Sequence, residues 1–206
     1  MYLLTETASP FALERWAAFF ANFGQFAKGF FYTLGISIGA LIVALLLGLI
    51  FGAMSSTHNK VLRGISRVYV EIFQNTPLLV QFVVVFYGIS ILTDGHVMIP
   101  ISLTAILCVG VYTGAYISEI IRTGIEAVPK GQTEAALSQG FTYADTMRII
   151  ILPQAVRTIL PPLTNQVVNL IKNTSTVAII SGADIMFTAK AWAYDTTNYV
   201  PAFAGA

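Results

Sequence analysis

The residues of this chain that could do chemistry are isolated polar side chains inside long apolar runs. Lys172 stands near the end of one run and is followed by Asn173, Thr174 and Ser175. An ammonium group with amide and hydroxyl donors beside it could bind a carboxylate. A central Lys or Asp costs about 2.5–3.5 kcal/mol in a membrane span, so such groups are functional candidates by default. The alternative is a packing network that pairs Lys172 with Glu119 or a backbone carbonyl, and the sequence favours neither.

A second group of polar side chains precedes a proline in another apolar run. Gln74, Asn75 and Thr76 come directly before Pro77, and a proline leaves one helical carbonyl without its donor. These side chains could line a cavity in the membrane. Capping of the proline kink explains them somewhat better.

Two pairs of polar residues have the spacing of neighbours on one helix face. Glu119 and Arg122 are three residues apart and can form a salt bridge, which we predict to be a structural or gate pair rather than a binding site. Gln166 and Asn169 have the same spacing. For them, hydrogen bonding between helices and contact with a solute compete evenly.

The sequence contains no constellation typical of catalysis or of a metal site. His58 and His96 fall in loops on opposite sides of the predicted membrane, and no HExxH or CxxC motif occurs. A Gly-rich phosphate loop ending in GK and Ser or Thr is also missing, so we do not expect this chain to hydrolyse ATP. Cys108 lies in an apolar run and is predicted to be a small buried hydrophobe.

The composition is that of a membrane protein. Of the 206 residues, 56% are hydrophobic and 10% are charged, and the mean hydropathy is +0.75. The formal net charge is +1 without any dense Lys/Arg block, which sets nucleic acid aside as a partner and leaves lipid. We therefore predict an all-α membrane protein.

Four segments have the length needed to cross a bilayer, which takes about 20 apolar residues. They are residues 29–54, 72–92, 97–121 and 153–181. Prolines 161 and 162, with two basic residues, interrupt the fourth, so we predict that it is kinked or broken. Residues 1–23 are predicted to be an interfacial segment containing a short amphipathic helix whose aromatic side chains face the lipid.

The distribution of basic residues predicts the orientation. Seven of the eleven Lys and Arg residues lie in the connections after the first and third spans or close to the start of the fourth, whereas Arg15, Lys28 and Lys190 lie in the remaining connections. Because Lys and Arg accumulate in cytoplasmic loops, we predict that the N-terminus is outside and that segment 124–152 is cytoplasmic.

Segment 124–152 has the pattern of a helix-turn-helix. Pro129 can begin a first helix that Gly140 ends, and Thr142 with Asp145 forms a capping pattern for a second helix running to Pro153. Such short helices gain most of their stability from packing, so a docking partner is expected. A loop lying on its own membrane is the alternative.

Several motifs in the correct order resemble one family. EAA at 134–136, Gly140 four residues later and ILPQA at 151–155 resemble the EAA loop of the permease subunits of bacterial ATP-binding-cassette (ABC) importers. Three further stretches resemble the polar amino-acid branch of that family: QNTPLLVQ at 74–81, GAYISEIIRTGIEAVPKGQ at 114–132 and LPPLTNQVVNLIKNTS at 160–175.

The resemblance implies a type I ABC importer transmembrane domain with at least four transmembrane helices and a cytoplasmic EAA coupling helix. It implies that Glu134, Ala135, Ala136 and Gly140 dock on a separate ATPase, which holds the ATP and magnesium, so this chain binds no cofactor. Further implied partners are an extracytoplasmic amino-acid-binding protein and a second permease, either identical or homologous. The implied location is the bacterial cytoplasmic (inner) membrane.

The chain departs from the family pattern in two places. Members of this branch commonly carry an Asp after the lysine of the fourth-span motif, where this chain has Asn173. They also end with another span. Here residues 24–190 are expected to form the permease domain and residues 191–206 an extracytoplasmic tail, with the final span absent.

Two alternatives come from other functional classes. A subunit of a secondary transporter or channel driven by an ion gradient would show inverted internal repeats, and none is evident in the hydropathy. A membrane-embedded enzyme would need a nucleophile with a base, or two aspartates at membrane depth, and the apolar cores contain no Asp.

Overall fold

The computed structural model describes residues 9–206 and is helical throughout its regular elements, which confirms the all-α prediction. The α-helices are α1 Leu13–Ala21, α2 Phe23–Ser55, α3 Lys60–Asn75, α4 Leu78–Val83, α5 Ile89–Leu92, α6 Ile101–Glu126, α7 Lys130–Ser138, α8 Tyr143–Asp145, α9 Leu152–Asn173, α10 Ile185–Thr196 and α11 Tyr199–Gly205. The π-helical segments Val84–Gly88 and Thr146–Ile151 join α4 to α5 and α8 to α9, and a 3-10 segment, Thr174–Ile180, continues α9. Residues 1–8 of the predicted interfacial segment lie outside the described residues.

The centre of the bundle is the pair α2 and α6. Gly48 lies against Ile117 and Gly52 against Ile121, so close that an added Cβ would come within 2.4 and 2.8 Å of those side chains. Small residues at a helix contact let the two backbones approach, and close approach increases van der Waals contact where the hydrophobic effect does not drive association. The glycines of α2 therefore position α6. This helix carries the candidate residues Glu119 and Arg122.

A sharp bend separates α3 from the helix that follows it. The axes of Lys60–Asn75 and Leu78–Leu92 meet at 97°. Pro77 has no N–H for the carbonyl of Phe73, and the buried side chain of Gln81 donates to that oxygen (3.2 Å) and to the carbonyl of Thr76 (3.0 Å). Gln81 thus satisfies backbone groups that the proline leaves open, and the predicted span 72–92 contains the bend.

Hydrogen bonds between side chains and backbone hold α3 on the bundle. Three α3 side chains donate to carbonyls of α2 and α6: Ser66 to Phe51 (2.7 Å), Tyr69 to Val111 (2.7 Å) and Gln74 to Ala115 (3.2 Å). These bonds fix both the position and the rotation of α3.

Two helices, α2 and α6, are each long and apolar enough to cross a membrane, and the bent pair of α3 with Leu78–Leu92 could supply a third crossing. The fourth predicted span corresponds to α9, which carries more polar residues. Of the predicted kink or break, the structure shows no break at the prolines, since α9 runs on as a helix through Pro161 and Pro162; the span changes to a 3-10 segment at Thr174. The prolines leave the carbonyls of Arg157 and Thr158 without their helical donors, and both of these residues are exposed.

The N-terminal helix packs inward rather than lying free on the surface. Phe19 is only 3% exposed, because its ring meets those of Phe26 and Trp192 at centroid distances of 4.7 and 6.1 Å. The prediction that the aromatic side chains of this segment face lipid therefore fails for Phe19, although Phe20 remains exposed. The tail predicted from residue 191 is largely helical and forms part of this cluster.

Asp184 begins α10 as an N-cap. Its carboxylate accepts hydrogen bonds from the backbone N–H groups of Met186 (3.3 Å) and Phe187 (3.0 Å) and is fully buried. Burial raises the pKa of Asp184 because it disfavours the charged form, and the two N–H donors oppose that shift in part.

Candidate functional site

One face of α9 packs on the bundle and another is polar and exposed. Ala155 and Leu170 are buried on the inner face, and Ile159 fits against Gly124 of α6 so closely that a Cβ on Gly124 would come within 2.3 Å. Among the exposed polar residues of α9, four are spaced seven, four and three apart, the spacing of a single helix stripe. We call them the polar stripe: Thr158, Asn165, Asn169 and Lys172.

The polar stripe limits what α9 can face. Lipid hydrocarbon offers no hydrogen-bonding partner, and polar groups at membrane depth therefore face water or another protein. The stripe unites two of the predicted candidates, Asn169 and Lys172, and leaves Gln166 partly buried at its edge. Thr158 and Asn165 were not predicted as candidates, although their helical spacing from Asn169 and Lys172 places all four on one face of α9.

The hydroxyl groups after Lys172 are already occupied. Thr174 donates to the carbonyl of Ile171 (2.6 Å), and Ser175 donates to that of Lys172 (2.7 Å). Asn173 is partly buried. Of the four predicted neighbours, Lys172 is the one whose charged group is exposed, so a carboxylate would meet its ammonium first.

Glu119 and Arg122 form the predicted ion pair. The Nε atom of Arg122 lies 2.9 Å from a carboxylate oxygen of Glu119, and its Nη1 atom lies 2.5 Å from Glu126. Glu119 is thereby engaged by its own helix, and the alternative pairing with Lys172 is not formed. Whether the pair acts as a gate stays a prediction.

The ion pair lies at a polar cavity of about 380 Å³ between α3 and α6. Gln74 also lines this cavity, whereas the side chain of Asn75 donates to the carbonyl of Glu71 (2.8 Å) and the carbonyl of Thr76 accepts from Gln81. Of the three residues before Pro77, the structure therefore brings Gln74 to the ion pair and gives the other two local partners.

The end of α7 is a Schellman motif, a hydrogen-bonded helix stop with a left-handed residue. Gly140 has φ +86°, its N–H donates to the carbonyl of Leu137 (3.0 Å), and the N–H of Phe141 donates to that of Ala136 (3.1 Å). No neighbouring atom lies within 4 Å of where a Cβ would stand. The backbone conformation, rather than space, requires glycine here.

The EAA residues present one open surface. Glu134, Ala135 and Gly140 are exposed, whereas Ala136 is 3% exposed. On its other side α7 packs against the π-helical segment Thr146–Ile151. The small exposed alanine leaves room for another surface to approach.

The turn after Gly140 leads directly into α9. The hydroxyl of Thr142 accepts from the backbone N–H of Asp145 (3.2 Å) and lies 2.5 Å from its carboxylate, so the predicted cap is confirmed. The predicted end of the second helix at Pro153 is wrong, because the helix continues through the π-helical segment into α9. Pro153 lies where the π-helical segment passes into α9, and it has no N–H to donate to a carbonyl of that segment. Segment 124–152 is thus joined to the polar stripe by one helical rod.

The structure is a multi-helix membrane bundle in which a helix with a polar face is joined to an exposed short helix, an arrangement expected of a transport subunit. Residues 44–206 match the family described as binding-protein-dependent transport system inner membrane component, and the chain belongs to this family.

Curated relatives support the same assignment. The chain is 41% identical over 173 residues to a probable glutamine ABC transporter permease protein, GlnM, of Bacillus subtilis (strain 168), covering 82% of this chain and 77% of the relative. It is 35% identical over 187 residues to the glutamate/aspartate import permease protein GltJ of Escherichia coli (strain K12), covering 82% and 76%.

Solved structures agree in fold. An amino acid ABC transporter crystallised with histidines superimposes with a TM-score of 0.84 at 32% identity, covering 92% of this chain and 87% of that one. The inward-facing MetNI methionine ABC transporter superimposes with a TM-score of 0.70 at 17% identity, covering 87% of each chain, and supports the fold alone.

These findings confirm the predicted family, the fold class and the role as a permease subunit of an ABC importer. The chain is a transport component rather than an enzyme, and it belongs to an inner-membrane, multi-pass protein class that works with a partner ATPase.

Proposed function

We propose that this chain lines one side of the path by which an ATP-driven importer carries polar amino acids into a bacterial cell. The polar stripe of α9 is the observation that carries this proposal, since it is a helix face that lipid cannot satisfy. The printed names of the relatives, which refer to glutamine and to glutamate/aspartate, support the substrate class.

The polar stripe can form only one side of the path, and another protein surface must form the other side. An exposed row of amides with one ammonium group is half of an aqueous path, and a second permease, identical or homologous, would close it. Lys172 would hold the carboxylate that every amino acid carries through a charge-assisted hydrogen bond, and Asn165 and Asn169 would offer amide donors and acceptors along the way. The pair Glu119 and Arg122 would close the cytoplasmic end.

Segment 124–152 would transmit the ATPase cycle. The exposed surface of Glu134, Ala135 and Gly140 would dock on the ATPase, which holds ATP and magnesium, and α7 would move with the start of α9. A binding protein would deliver the amino acid to the outer face, where the N-terminus and α10 would lie according to the distribution of Lys and Arg. ATP binding would open the path outward, and hydrolysis would reset it.

The path is tested by uptake into proteoliposomes that contain the complete importer and its binding protein. Lys172→Gln should lower the initial rate of uptake by roughly 10- to 100-fold, because a hydrogen bond to a charged group contributes about 1.5–3 kcal/mol. Thr164→Ala is the matched control on α9, since Thr164 lies off the stripe and its hydroxyl donates to Leu160 (3.0 Å). Normal uptake by a Lys172→Gln/Asn169→Ala double variant would exclude the stripe as the path.

Docking is tested by purifying the tagged chain in mild detergent and identifying what accompanies it. Glu134→Lys should release the ATPase, whereas Glu14→Lys, an equal charge reversal on the exposed face of α1, should retain it. Retention of the ATPase by both variants would exclude docking through Glu134. Uptake that survives ATP depletion would favour the gradient-driven alternative.

A further inference from the structure

A cavity separates segment 124–152 from the end of α2. Its volume is about 690 Å³, and it is lined by Ser56 and His58 on one side and by Glu134 and Tyr143 of the segment on the other. A part of a protein that makes few packed contacts moves more easily than the core. The cavity therefore leaves this side of the segment weakly held by packing.

The rings of His58 and Tyr143, which both line this cavity, are in contact. Their centroids are 5.0 Å apart and their planes are inclined at 78°, the edge-to-face arrangement that aromatic rings prefer. Within residues 9–206 this is the one ring contact that segment 124–152 makes. The side-chain hydrogen bonds that join residues 130–151 to other described residues all involve Gln154 of α9. The ring contact is thus a connection to the bundle that is separate from α9.

The turn that carries His58 is held by local hydrogen bonds. The side chain of Asn59 accepts from the backbone N–H of Val61 (2.9 Å) and so caps the start of α3. The hydroxyl of Ser56 donates to the carbonyl of Gly52 (3.0 Å) at the end of α2. His58 therefore lies between two fixed helix ends, and a displacement of its ring is passed to those helices.

From this turn α3 leads to the ion pair of α6. Gln74 of α3 lines the same polar cavity as Glu119 and Arg122. Arg67, closer to the start of α3, lines that cavity as well. A displacement of α3 would therefore reach the ion pair by a route that does not pass through α9.

We propose that His58 is a positioning residue for coupling, and that its ring contact with Tyr143 fixes where segment 124–152 lies relative to α3. The inference rests on the proposed function, in which this segment docks on the ATPase. With the contact in place, movement of the segment displaces the start of α3 as well as α9. Without it the segment can shift across the cavity, so ATP is hydrolysed with less movement of the bundle.

The first test measures the contact without measuring transport. Backbone hydrogen exchange is compared among variants of the purified, nucleotide-free importer complex. In His58→Ala, exchange of residues 145–151 should become about two- to tenfold faster, the range given by the strength of an aromatic pair. His58→Phe keeps a ring at this position and should restore slow exchange.

His96→Ala is the matched control, since it makes the same change in the turn between α5 and α6. It should leave exchange of residues 145–151 as in wild type. Unchanged exchange in His58→Ala would overturn the proposal. Equally fast exchange in His58→Phe would also overturn it, because the ring would then not be what holds the segment.

The second test asks whether the two rings act through each other. In proteoliposomes with the complete importer, His58→Ala and Tyr143→Ala should each lower the number of amino-acid molecules imported per ATP by about two- to tenfold. Residues that act through one contact are not additive, so the double variant should lose no more than Tyr143→Ala alone. Losses that multiply in the double variant would overturn the proposal.

The third test separates a positioning role from docking. His58→Ala should retain the ATPase in mild detergent, because it leaves the exposed surface of Glu134, Ala135 and Gly140 unchanged. Loss of the ATPase would overturn the proposal by making His58 part of the docking surface. The failure of the proposed docking is detected with Glu134→Lys and that of this inference with His58→Ala, so the two are distinguished.

Discussion

Replacing Gly140 by alanine should weaken coupling without changing any contact. At φ +86° an added Cβ meets no atom within 4 Å, so the cost comes from the backbone alone. A left-handed conformation costs an L-residue about 1–2 kcal/mol. That energy is equivalent to a factor of about 5–30 in the population of the correctly ended α7. Because α7 has only nine residues and is marginally stable by itself, the variant should lower the population of the correctly folded docking surface.

Gly131 provides a control within the same helix. A Cβ on Gly131 also meets nothing within 4 Å, but Gly131 is helical, where alanine is the better residue by about 0.8–1.0 kcal/mol. Gly131→Ala should therefore leave transport unchanged. Gly140→Asn should lie between wild type and Gly140→Ala, since asparagine tolerates the left-handed conformation.

The assay is the number of amino-acid molecules imported per ATP hydrolysed in proteoliposomes containing the complete importer. The expected order is Gly131→Ala equal to wild type, Gly140→Asn lower and Gly140→Ala lowest. If Gly140→Ala imports as many molecules per ATP as Gly131→Ala, the geometry of this helix end does not matter for coupling and the reasoning fails.

Three further variants test the bend at Pro77, the cap of α10 and the contact between α6 and α9 by thermal unfolding of the purified complex. Gln81→Leu should destabilise it by about 1–3 kcal/mol for each of two carbonyls left unpaired, and an unchanged melting temperature would contradict the role of Gln81 at the bend. Asp184→Ala should cost about 0.5–2 kcal/mol by removing the cap, whereas Asp184→Asn keeps it. Burial raises the pKa of Asp184 in the folded state. The stability linked to its protonation is therefore present below the pKa of the unfolded state and is lost as the pH rises through the pKa of the folded state. Asp184→Asn should abolish this pH-dependent loss of stability. Gly124→Ala should force α6 away from Ile159 and cost about 1–3 kcal/mol, whereas Gly35→Ala, in open space, should be neutral.

The sequence predicted local features that depend on a few neighbouring residues. The helix end at Gly140, the cap at Thr142 and the ion pair of Glu119 with Arg122 each follow from one residue type at a fixed spacing. Backbone conformation and hydrogen bonding within one turn determine such features. Hydropathy likewise indicated the helical membrane class.

Features that depend on packing between distant segments could not be predicted. Phe19 was predicted to face lipid because its helix is amphipathic, but Trp192 from the other end of the chain covers it. The continuation of α9 through Pro161 and Pro162 had no sequence signal, because proline is read as a breaker unless its surroundings are known. The 97° bend likewise depends on Gln81, which reaches back to two carbonyls released by the turn.

The connection between the proposed docking surface and the proposed path contains one irregular step. From Thr142 the chain runs into the polar stripe as one rod, and Ile159 is wedged against Gly124 so tightly that α9 cannot slide there without moving α6. The π-helical segment Thr146–Ile151 lies between the wedge and α7. A π-helical turn holds an extra residue and has poorer packing than an α-helix, so it yields before the regular turns on either side. Force applied to α7 would therefore first change the π-helical segment, and the wedge at Gly124 would then decide how much of the motion reaches Lys172.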